Sequence, residues 1–91
     1  MAAAAGTGRM ISGTVLSATG QPVALARVYV LAAPGPVPDV ALLTDADGRF
    51  EIGTLQPGAY EIGANTDGLG SGSVAVRVAR ADARVQIKLG G

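Results

Sequence analysis

The chain contains no cysteine, histidine or tryptophan. Without cysteine there is no disulfide framework and no thiolate chemistry. Without histidine the commonest general base and metal ligand is missing. Ser12, Ser71 and Ser73 therefore have no imidazole to activate them, and enzymatic hydrolysis is not expected. Aromatic residues are scarce: Tyr29, Tyr60 and Phe50 are the only ones. The core must then be built from Val, Ile, Leu and Ala. Seven basic residues cancel seven acidic ones, so no positive field attracts a phosphate backbone, and nucleic acid is not expected as a partner. No apolar run approaches the length that spans a bilayer, and membrane insertion is not expected. Residues Met1–Arg9 lack the basic and apolar regions of a secretory signal. A complete chain of this kind would be cytoplasmic or particle-associated; the same sequence excised from a longer protein would be extracellular.

What the chain does have is alternation with a period of two, punctuated by turn residues. Residues 1–9 read as an extended arm, flexible or ordered by a partner, and 10–91 as one domain. Ile11, Gly13 and Val15 share one face of a first strand, with Ser12 and Thr14 opposite. Gly20 and Pro22 mark a turn. Ala26, Val28 and Val30 then point inward, with Leu25, Arg27, Tyr29 and Leu31 outward. Pro34, Pro36 and Pro38 break the pattern, because proline cannot donate to a ladder. A short strand from Val40 to Thr44 leads to the Asp47-Gly48 turn. Phe50 and Ile52 return inward, Leu55 plugs one end, and Pro57-Gly58 turns the chain again. Tyr60, Ile62 and Ala64, then Val74, Val76 and Val78, then Val85, Ile87 and Leu89 supply three further inward faces. A glycine-rich loop is expected over Asp67–Gly72. Seven short strands with regular turns predict an all-β, antiparallel sandwich.

Two motifs sharpen this. One is Ile11-x-Gly13-x-Val15 with Gly20-x-Pro22-Val23-x-x-Ala26-x-Val28-x-Val30. The other is Thr44-Asp45-x-x-Gly48-x-Phe50-x-Ile52-x-x-Leu55-x-Pro57-Gly58-x-Tyr60. Together they resemble the carboxypeptidase regulatory-like domain, over roughly residues 10–89. The resemblance implies a seven-stranded, transthyretin-like (prealbumin-like) Greek-key sandwich without catalysis of its own. It makes Gly13, Gly20, Pro22, Asp45, Gly48, Phe50, Leu55, Pro57, Gly58 and Tyr60 structural residues. Domains of this kind sit beside enzymes or in envelope, adhesion and secretion proteins, as spacers and assembly modules. Leu25 departs from the pattern, standing where the family often has Gly or Asn.

Candidate sites follow. Asp45-x-Asp47-Gly48 resembles the start of a calcium loop, but the twelfth position is Gln56 rather than a bidentate Glu. A hairpin turn whose carboxylate accepts local N–H groups explains it more simply. Gly68–Gly72 precedes a strand, not the helix that a phosphate cradle requires. No metal or cofactor is expected. Leu25, Tyr29 and Leu31, at i, i+4 and i+6, would share one outer strand face. Such an apolar stripe suits a protein contact, unless neighbouring strands or the proline-rich loop cover it. The expected function is a non-enzymatic structural or assembly module, such as a virion decoration protein, contacting a protein partner or identical subunits. The alternatives are a carbohydrate or small-ligand module using the Pro34–Pro38 and Gly68–Gly72 loops, and an accessory domain of an envelope or secreted enzyme.

Overall fold

A computed structural model of the chain describes residues 9–35, 41–54, 57–79 and 82–90. They form seven strands: β1 (Arg9–Leu16), β2 (Arg27–Ala32), β3 (Leu42–Leu43), β4 (Arg49–Thr54), β5 (Gly58–Thr66), β6 (Gly70–Val78) and β7 (Ala83–Lys88). No helix occurs among the described residues, so none there is long and apolar enough to cross a membrane. The strands make two sheets, ordered β4-β1-β7 and β3-β2-β5-β6.

The inward faces are those the alternation predicts. Ile11, Val15, Phe50 and Ile87 from the first sheet meet Val28, Tyr60, Ile62, Ala64 and Val78 from the second, all buried. Burying one such large side chain stabilises by about 1.5–3 kcal/mol. Gly13 pairs with both Phe50 and Val85. A Cβ on Gly13 would lie 2.5 Å from Phe50 Cζ and 2.8 Å from Val85 Cγ2. The glycine thus leaves space for the one phenylalanine the core contains.

Four differences from the sequence expectation have physical causes. The sandwich is not wholly antiparallel: β1 and β7 run parallel, with Gly13 opposite Val85 and Val15 opposite Ile87. Alternation reports which face a residue takes, not the direction of its neighbour. Arg9, assigned above to the arm, already belongs to β1, where it pairs with Thr54; residues 1–8 lie outside the described residues. The third strand is only Leu42–Leu43, and Val40 lies outside the described residues, as do Pro36, Pro38 and Leu55. Finally, Gly70, Ser71 and Gly72 are strand, not loop. A Cβ on Gly72 would run into the carbonyl oxygen of Lys88, so the glycine permits a close approach of the two sheets.

Candidate functional site

The outer face of the β3-β2-β5-β6 sheet is organised by Thr44, which is itself buried. Its Oγ1 donates to the Val23 carbonyl at 2.7 Å and accepts from the Ala26 N–H at 2.9 Å. Its backbone N–H donates to the Ala26 carbonyl at 3.0 Å, and its carbonyl accepts from the Leu25 N–H at 3.1 Å. These four bonds fix the Val23–Ala26 turn ahead of β2. Within that turn Leu25 takes φ +59°, the only positive φ among the described non-glycine residues. The left-handed region costs an L-residue roughly 1–2 kcal/mol. Gly or Asn holds this conformation at lower cost. Leu25 is also 69% exposed, so burial of its side chain within the domain does not offset that strain.

Leu25 therefore does not share a strand face with Tyr29 and Leu31 in the way its spacing implies; β2 starts two residues later, at Arg27. Tyr29 and Leu31 do share one. A Cβ on Gly63 would lie 2.5 Å from Tyr29 Cε1 and 3.0 Å from Leu31 Cδ1. Both side chains thus lie over the glycine that β5 places opposite Tyr29. Tyr29 is half-buried by this contact and Leu31 stays 53% exposed. The β2–β5 register shifts at Leu31, where Val30 pairs with Ile62 and Ala32 with Glu61. A bulge of this kind twists the strand and re-aims its side chains. Leu43 pairs with Arg27 and is exposed, while Leu42 is half-buried. Leu69 is exposed in the β5–β6 turn. Arg27 also pairs with Asn65, next to that turn. Leu25, Leu43 and Leu69 consequently lie at the same end of this sheet, with Arg27 and Asn65 between Leu43 and the turn that carries Leu69, and Tyr29 and Leu31 lie further along β2.

The acidic turn is structural. Asp45 Oδ1 accepts from the Asp47 N–H at 2.8 Å and the Arg49 N–H at 2.9 Å, and the Gly48 N–H closes onto the Asp45 carbonyl. The bond from Arg49 leads in holding the Asp45 carboxyl below its ordinary 3.8; desolvation opposes it, and the Asp47 amide and the Arg49 charge assist. Gly48 adopts φ +75°, and a Cβ there would lie 2.9 Å from both the Val15 carbonyl oxygen and the Val23 nitrogen. Gly20 takes φ +91° in its turn and Pro22 bridges to Leu16. Gly58, following the exposed Pro57, takes φ +146° and lies beneath the ring of Pro34.

The sequence reading missed one feature. The outer face of β4-β1-β7 forms an open trough of about 640 Å³. Ser12 and Thr14 form its floor, with Arg49 and Glu51 on one side and Arg84 and Gln86 on the other. The signal was present, since these are the polar positions of three alternating strands. Only their pairing shows that two short hydroxyl residues lie between longer charged ones.

The family model for the carboxypeptidase regulatory-like domain matches residues 10–90. No curated protein matches the chain.

Proposed function

The chain belongs to the carboxypeptidase regulatory-like domain family, and from that premise we propose that it is a protein-contact module docking through Leu25, Tyr29 and Leu31, extended by Leu43 and Leu69. The domain itself is non-catalytic. The observation that carries the proposal is Leu25: an exposed leucine in a backbone conformation that disfavours it. Strain of this sort is retained where a side chain is needed for function. A large apolar residue held outward supplies the anchor that a desolvated protein interface requires. The partner surface is apolar protein, and the setting is a larger assembly, of which particle decoration is one form.

Site-specific photo-crosslinking tests this. A crosslinker at Leu31 in the full protein, in its native extract, is expected to trap one defined protein. The same crosslinker at Gln86, on the opposite sheet, is expected to trap none. Equal trapping from both positions, or none from Leu31, rejects the proposal.

The polar trough favours a second reading, a small-ligand module at Ser12 and Thr14 rather than at the loop ends. Phe50 is the one aromatic residue that lines it, and its side chain is buried in the core, so no exposed ring is there to stack against a sugar. A glycan array without hits removes the carbohydrate version.

A further inference from the structure

The chain contains two Asp-Gly pairs, Asp47-Gly48 and Asp67-Gly68, each in a turn. In such a pair the glycine nitrogen reaches the aspartate carboxyl with little hindrance, because no Cβ stands in the way. The fold treats the two pairs in opposite ways.

At Asp47-Gly48 the reacting groups are held. The Gly48 N–H donates to the Asp45 carbonyl at 3.0 Å, and the Gly48 carbonyl accepts from the Val15 N–H at 2.8 Å. The Asp47 N–H donates to Asp45 Oδ1 at 2.8 Å. Gly48 is buried. Its nitrogen cannot turn toward the Asp47 carboxyl unless these bonds open.

At Asp67-Gly68 they are free. The pair belongs to the turn 67–69 that joins β5 to β6, and both residues are exposed. Gly68 takes φ +86°, with open space where a Cβ would stand. The turn's own bond, from the Leu69 N–H to the Thr66 carbonyl at 3.3 Å, uses neither the Gly68 N–H nor the Asp67 carboxyl. Among the described residues no hydrogen bond or ion pair holds either group. Exposed loop tips are also where backbone change is best tolerated.

We propose that Asp67-Gly68 is a site of spontaneous covalent modification, ageing through a succinimide to isoaspartate, and that the fold protects Asp47-Gly48 from the same reaction. The Gly68 nitrogen bonds to Asp67 Cγ, and the carboxyl hydroxyl leaves with that nitrogen's proton as water. One water then opens the five-membered imide. Opening at Cγ restores aspartate; opening at the Asp67 backbone carbonyl leaves the chain linked through Cβ. The main chain of the turn is then one methylene longer, and the former backbone carboxyl becomes a side branch. The Leu69–Thr66 bond and the closing Thr66–Gly70 pair lie within that altered loop, so Leu69 is re-aimed. The chemistry does not depend on the docking proposal.

The full chain is held for several weeks in mildly acidic buffer, folded in one sample and unfolded in guanidinium chloride in another. Isoaspartate is labelled with an isoaspartyl methyltransferase and located by electron-transfer mass spectrometry. In the folded sample it is expected to form at 67 about ten-fold faster than at 47 or more, because 47 reacts only through local opening. In the unfolded sample the two rates are expected to agree within about three-fold, since the fold no longer distinguishes them. Asp67→Glu would require a six-membered ring and is expected to abolish the signal at 67 while the strand spectrum is unchanged. A folded chain that forms no isoaspartate at 67 overturns the proposal. So does a ratio of the two rates that is the same folded and unfolded.

Discussion

The carbonyl of buried Thr44 accepts the N–H of exposed Leu25 at 3.1 Å and helps to hold that leucine in the left-handed region at φ +59°. One inward residue thus sets the backbone of an outward one. The core and the proposed docking face are joined through one turn, although they point in opposite directions.

Replacing Thr44 by valine keeps the shape and removes the hydroxyl. The Ala26 N–H then loses its 2.9 Å acceptor and the Val23 carbonyl its 2.7 Å donor. A buried polar group left unpaired costs about 1–3 kcal/mol. Urea unfolding of Thr44→Val is expected to show a loss of about 2 kcal/mol. Amide exchange should be fastest to increase across Val23–Ala26.

Gly13→Ala is expected to destabilise by about 1–3 kcal/mol, because its methyl enters the space of the Phe50 ring. Phe50→Leu shortens that ring and relieves the clash. Thermal melts of the two single variants and the double are expected to show a cost well below additive. Strict additivity would mean that the two residues do not compete for one space.

The Asp45 turn sets part of the acid sensitivity. Its folded-state pKa lies below the ordinary 3.8. The ionised form is therefore favoured by folding. That stabilisation is fully present above the unfolded value and is lost as pH falls through the folded one. Asp45→Asn keeps an oxygen acceptor and removes the titration. Denaturation midpoints taken downward from pH 5 are expected to fall less steeply for the variant.

Gly63→Ala is expected to disturb the outer face without touching the core. Its methyl would lie 2.5 Å from Tyr29 Cε1, so the ring must lift. Tyrosine fluorescence and its quenching by iodide should report a more exposed Tyr29, while Tyr60, 3% exposed on the inner side, stays protected.

The scaffold was legible because its determinants are local. Ile11 and Val15, Ile62 and Ala64, and Val78 and Ile87 alternate with polar neighbours, and alternation fixes a face. The Asp45–Gly48 turn carries its chemistry in its own residues. What was illegible depends on pairing. Nothing in the β7 sequence says that it runs parallel to β1, because the partner is more than sixty residues away. Gly70–Gly72 reads as loop by composition, yet the β5 ladder and the closeness of Lys88 make it strand. Leu25 reads as a strand residue by spacing, and only the Thr44 bonds show that it closes a turn. The trough between Arg49 and Arg84 likewise exists only once β1 is set between β4 and β7. The family membership was legible in the two motifs, since both encode turns and core positions of the fold.

The central claim is that Leu25 is held under strain because it is a binding residue. Leu25→Asn, read for stability and for binding, tests it most directly. Asn tolerates the left-handed region, and the variant is expected to gain about 0.5–1 kcal/mol in denaturant unfolding. Its affinity for the protein trapped from Leu31 is expected to fall by about ten-fold or more, as for the loss of an interface anchor. A variant that gains stability and binds as tightly as the parent would contradict the claim.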